Sequence, residues 1–230
     1  MSVFILNGTE EVTEVIPISD TDGCTVDLIT VRRVGYQDPL TRIFTSLPEE
    51  VYAHCVHSAV IVRTMAEYIK SPPEGMNRGV FAHSVWLGCL YHHLGESAGG
   101  TKDKQQLPAL TESILNEHLP DTGIYFNTDK NIVLDIVRHC HERFDGSGCP
   151  DGLSGDEIPL TARLCGLACV LDNLLAGKGF LAANTVKAAR YMQEKGGALF
   201  GADAINCYEQ AREEIFNLYL NQRKRLEGWD

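Results

Sequence analysis

Several features that mark particular protein classes are missing from this sequence. No apolar run approaches the roughly 18 residues needed to span a membrane. The N-terminus has no basic stretch and meets acid at Glu10 and Glu11, so no signal peptide is expected. Basic residues are few: Lys+Arg number 20 against 31 Asp+Glu, a formal net charge of −11 over 230 residues. A field of that sign repels phosphate backbones, so no nucleic-acid polymer is expected as a partner. The eight cysteines contain no CxxC pair, and most sit in apolar surroundings, as at Cys89 and Cys169. This pattern suits a reduced, cytoplasmic protein whose cysteines are mainly small hydrophobes. With 44% hydrophobic and 22% charged residues the chain can bury a sizeable core.

The first 45 residues differ from the rest. Segments 2–7, 13–18 and 24–34 are rich in Val, Ile and Thr and are separated by Asn7-Gly8 and by Asp20 to Gly23. They read as three short strands of a small β element with no evident chemistry, serving packing or partner docking. From residue 46 to 230 the pattern is helical. Ser46 is a candidate cap for a helix opening at Leu47 and carrying an apolar face of 3.6-residue period. Further helices are expected at 78–94, 111–117, 129–142, 159–175, 185–195 and 203–225. The Gly/Pro-rich stretch 145–159 is expected as a long ordered loop. The fold class is thus mainly α: a helical bundle behind a small N-terminal β element.

The chemistry lies in histidines spread over several helices. One histidine is more often a core or surface residue, but several facing inward from different helices are how bundles build metal sites. His57 comes first, then His92-His93 with Glu96, then His118 before Pro120. Cys140-His141-Glu142 leads into Arg143, Asp145, Gly146, Gly148, Cys149 and Pro150. Arg163, Cys169 and Asp172 follow on the next helical stretch.

This series, from about residue 50 to 215, resembles the HD-GYP family, a branch of the HD-domain metal-dependent phosphohydrolases that hydrolyse cyclic di-GMP. The resemblance implies a helical bundle, an HD-GYP-like domain holding two or three iron or manganese ions. A metal pair sharing a hydroxide supplies a nucleophile at neutral pH, and it requires a carboxylate that touches both ions. Carried over by position, His57, His92, His118 and His141 match metal ligands. The other ligand positions are substituted: His93 stands for the bridging Asp, Cys140 for a His and Cys169 for the late Asp. Ala53 stands for a Glu, Glu96 for a phosphate-binding Lys, Cys149 for the Tyr of Gly-Tyr-Pro, and Lys178 opens a stretch that departs from Arg-Pro-Tyr-Arg.

Asp145, Gly146, Gly148, Pro150, Arg163 and Lys178 are the ligand-binding positions so implied. The cofactor expectation is one divalent ion (zinc if Cys140 or Cys169 joins, otherwise iron or manganese) or none. A second reading has Cys165 and Cys169, at i and i+4, simply packing a helix face. Cys149 near His141 suggests a nucleophile–base pair, but a plain replacement of Tyr is the simpler account. Asp145 is expected to cap its loop. Two functions stay open: a catalytically degenerate binding or interaction module in cyclic di-GMP signalling, with cyclic di-GMP or a protein as partner, or an active phosphodiesterase with a rebuilt His/Cys site.

Overall fold

A computed structural model describes residues 2–4, 15–17, 39–97, 100–119, 128–176 and 181–227. β1 (Ser2–Phe4) pairs antiparallel with β2 (Val15–Pro17), Val3 opposite Ile16. These fall within the first two expected strands; the third, at 24–34, lies outside the described residues. The rest is helical: α1 (Pro39–Thr45), α2 (Glu49–Ala66), α3 (Arg78–Tyr91), α4 (Leu107–His118), α5 (Lys130–His139), α6 (Leu160–Leu175), α7 (Leu181–Tyr191), α8 (Gly197–Phe200) and α9 (Ala202–Glu227). The mainly α bundle expected from the sequence is what forms. No helix among the described residues is long and apolar enough to cross a membrane.

Side-chain caps set the starts of two helices, α3 and α5. Asn77 accepts from the Gly79 amide and opens α3; Asp129 accepts from Asn131 and Ile132 and opens α5. Ser46 does not cap α2. Its hydroxyl donates back to the Ile43 carbonyl, so it closes α1, and Pro48 occupies the cap position of α2 instead. Leu40 and Phe44 of α1, on the N-terminal side of the boundary expected at residue 46, join the same core as the later helices. Helix α4 begins at Leu107, four residues before the expected start, with Pro108 tolerated in its first turn.

α2 packs chiefly on α3 and α6, and α3 also packs on α5. These four helices enclose the core, and the candidate site lies where their polar residues meet. Gly166 lets α6 pass close to the end of α5: a Cβ there would stand 2.6 Å from the Cys140 carbonyl oxygen. Gly166→Ala should therefore destabilise the protein by about 1–3 kcal/mol through overpacking against backbone. The midpoint of urea unfolding measures this, and an unchanged midpoint would refute the close approach.

His83 on α3 stacks on Trp86 with ring centroids 5.3 Å apart. Burial, with the Arg63 charge adding to it, pushes its pKa down to about 4. The unfolded ring takes a proton near 6.5 and the folded ring only near 4. The stability held in the neutral ring is therefore present above pH 6.5 and lost as pH falls to 4, up to about 3 kcal/mol. His83→Gln should flatten this acid limb by up to one proton in a pH series of urea unfolding curves.

Candidate metal centre

Four helix ends and faces converge on one group of imidazoles. The rings of His92 and His93 lie 4.1 Å apart, His54 is 5.5 Å from each, and His141 is 5.7 Å from His93. His54 and His57, one turn apart on α2, both meet Asp172 of α6. His54 Nδ1 is 2.6 Å from one carboxylate oxygen and His57 Nδ1 is 3.1 Å from the other. The carboxylate is buried and both its oxygens are engaged. Burial alone would lower the His54 pKa. The hydrogen bonds to Asp172 and Cys169 outweigh it and raise the ring to about 10.

His92 and His93 follow α3 directly. His92 is buried, with Nδ1 2.5 Å from the Cys89 carbonyl and Nε2 3.2 Å from Cys169 Sγ. Hydrogen bonds from the Cys165 and Cys89 thiols hold the Cys169 thiol well below its usual range, and His92 adds to this. Burial opposes charge on His92, but the facing Cys169 sulfur raises its pKa well above the ordinary value. His93 turns the other way, with Nδ1 2.6 Å from Glu96 in the 3-10 turn Leu94–Glu96. Burial and the His92 charge push His93 down to about 4, so it is neutral near pH 7.

His141 sits just past α5. Its Nε2 is buried without a hydrogen-bond partner, and burial with the His92 charge pushes its pKa down to about 3. The Gly/Pro loop fixes this turn through backbone contacts. Glu142 Oε1 accepts from the amides of Asp151 (2.6 Å) and Gly152 (3.1 Å), and Arg138 forks onto Asp151 at 2.7 and 2.8 Å. A Cβ at Gly148 would collide with the backbone of Glu142 and Arg143, so only glycine fits there. Asp145 accepts from the Ser147 amide and hydroxyl, the capping role read from the sequence. Cys149 Sγ lies 3.6 Å from the Lys104 carbonyl, and burial with the Glu142 charge raises its pKa, which opposes thiolate formation.

Other expected site residues are placed elsewhere. The described contacts of His118 are with Glu117, 3.8 Å away at the end of α4, and none brings it to the other histidines. Cys140 is buried, and its closest thiol contact is with Cys165. Arg163 is 5% exposed; its guanidinium forks onto Asp203 at 2.6 and 3.1 Å and also meets Asp156 and the carbonyls of Ile158 and Phe200. Lys178 lies outside the described residues.

The reading by sequence position gave no site role to His54, Asp172, Cys89 or Cys165. The available signal was spacing: Asp172 is i+3 from Cys169, and His54 is i−3 from His57.

A bridged metal pair does not fit this donor set. The carboxylates that reach the cluster, Asp172 and Glu96, already accept from ring nitrogens, and His93 beside them is a neutral imidazole. The donor atoms of Cys89, His92, Cys165 and Cys169 lie close together, and such a set suits a single ion of soft or borderline character.

Asp172→Asn should lower the His54 pKa and cost about 1–3 kcal/mol near neutral pH, the range for a hydrogen bond to a charged group. A raised histidine contributes stability that is present below pH 6.5 and lost as pH rises toward 10. The variant should lose that alkaline limb. Ring-proton NMR titration measures the pKa directly, and an unshifted His54 would refute the pairing.

Comparison with known proteins matches residues 92–203 to a family model described as HD domain. The cyclic di-GMP phosphodiesterase response regulator RpfG of Xanthomonas campestris is 41% identical over 83 residues, 36% of this chain and 22% of that protein. A cyclic di-GMP phosphodiesterase of Pseudomonas aeruginosa is 27% identical over 166 residues, 69% of this chain and 38% of its own length. One from Vibrio cholerae is 25% identical over 196 residues, 76% and 39% respectively. The chain thus spans well under half the length of these relatives. The helical body, the matched model over residues 92–203 and these relatives point the same way: the chain is similar to HD-domain proteins, cyclic di-GMP phosphodiesterases among them.

Proposed function

We propose that this chain is a degenerate HD-GYP domain that has lost phosphodiesterase turnover and serves as a binding or interaction module in cyclic di-GMP signalling. The observation that carries this reading is His93. It stands where a carboxylate would bridge two ions, is neutral near pH 7, and is hydrogen-bonded to Glu96, itself in place of a phosphate-binding cation. Neither group offsets the charge of two dications, and Glu96 repels a phosphate. The arginines around the Gly/Pro loop support the same reading. Arg138 and Arg163 are committed to carboxylates, and Arg143 donates to the Cys140 and Glu142 carbonyls. A protein partner is therefore favoured over the dinucleotide as what the module meets. Asp145, Gly146, Gly148 and Pro150 remain the proposed contact face, and the N-terminal segment the proposed docking element.

The second reading, a metal-dependent phosphodiesterase with a rebuilt His/Cys site, draws on the orphaned His141 Nε2. Hydrolysis assays separate the two. Purified protein with added Mn²⁺ or Fe²⁺ should yield no linear dinucleotide or GMP above background; saturable turnover would refute the degenerate reading. The combined variant His93→Asp, Cys169→Asp and Glu96→Lys should gain bound metal first and only weak hydrolysis. Its lysine restores a charge-assisted contact worth about 1–3 kcal/mol. Cys140→His is omitted because that buried site packs against α6 at Gly166. A wild type faster than this variant would favour the rebuilt site.

A further inference from the structure

We propose that Cys89, His92, Cys165 and Cys169 form a closed structural zinc site that ties α3 to α6. This goes beyond the functional reading above and does not depend on it, since a closed four-ligand cage leaves no position for substrate. Cys89 and His92 are i and i+3 at the end of α3; Cys165 and Cys169 are i and i+4 on α6. Each spacing places both side chains on one face of its helix. The two faces meet, and the four donor atoms all lie within 4.8 Å of one another. Tetrahedral zinc, with bonds of about 2.3 Å to sulfur and 2.0–2.1 Å to nitrogen, sets donor atoms roughly 3.5–3.8 Å apart. The side chains therefore need to close by about 1 Å at most.

The imidazole is already oriented for this role. His92 Nδ1 is engaged by the Cys89 carbonyl at 2.5 Å. With a proton donated there, Nε2 is the nitrogen that faces the thiols, 3.2 Å from Cys169 Sγ, and it becomes a ligand once it gives up its own proton. Such a second hydrogen bond fixes the tautomer of a zinc-bound histidine. All four residues are buried, in a place where thiols alone make only weak hydrogen bonds. Three thiolates and one imidazole match zinc rather than manganese, which prefers oxygen donors. Binding displaces the His92 Nε2 proton and up to three thiol protons to solvent and involves no change of oxidation state.

The test uses the full chain, purified under reducing conditions in zinc-containing medium and dialysed against chelator. Elemental mass spectrometry should find about one zinc per chain. Protein reconstituted with cobalt should show a thiolate-to-cobalt charge-transfer band. Cys89→Ala and Cys165→Ala should each lose the zinc and weaken that band, while His118→Ala should keep both. Circular dichroism checks the folding of each variant, and should a variant not fold, the wild-type cobalt spectrum decides alone. Absence of zinc together with absence of the band overturns the proposal. Zinc retained by the double cysteine variant overturns it as well, as do two iron or manganese ions per chain. Turnover of cyclic di-GMP by the zinc-loaded chain would overturn the functional reading instead, and leave the zinc site standing.

Discussion

Asp172 holds the centre of this molecule together. Its buried carboxylate accepts from two imidazoles one turn apart on α2, and so fixes the rotation of α2 against α6. An unpaired buried charge would cost several kcal/mol, so the carboxylate and at least one imidazolium form an interdependent unit. His54, raised to about 10, supplies that positive partner across the neutral range. The positions of His92, Cys169 and His93 follow from this clamp, because α3 packs on the surface that α2 and α6 create.

Beside the clamp, three thiols and one imidazole make up a buried cluster. Sulfur changes what the centre can do. A carboxylate bridges two hard ions and stays negative, whereas Cys169 faces one imidazole and two further thiols within a buried cluster. Such surroundings favour a single soft ion and exclude water. The imidazoles divide accordingly: His92 is pulled toward its charged form by the sulfur it faces, while His93 and His141 are kept neutral by burial and by that same charge.

Much of the fold was legible in the sequence because caps and periodicity act locally. Asp129 opens α5 where expected, and the Gly/Pro loop ends each neighbouring helix as its composition requires. Ser46 misled because a hydroxyl can serve either the helix ahead or the one behind, and nothing local marks which. In the site, His92, His93 and His141 were legible from motif order. His54 and Asp172 were not, since their pairing joins residues 118 apart and only α2–α6 packing brings them together. Cys89 and Cys165 read as core residues because a buried thiol and a metal thiol share the same apolar surroundings.

The pair at positions 93 and 96 satisfies its own turn, whatever its polarity. The family pattern implies an acid at the first position and a base three residues later; here an imidazole and a carboxylate stand in the reverse order. His93 and Glu96 are hydrogen-bonded at 2.6 Å, so a polar pair survives with its polarity inverted. Either substitution alone would leave like charges or an unpaired group in a partly buried turn, which destabilises. Made together they keep the turn satisfied, and Gly95 in its middle still takes the Thr111 hydroxyl on its amide, anchoring the turn to α4. The backbone is thus indifferent to the exchange, while a phosphate arriving at Glu96 meets repulsion in place of attraction. The fold needs only a matched donor and acceptor at this pair, whereas a phosphate responds to the sign of the charge it meets.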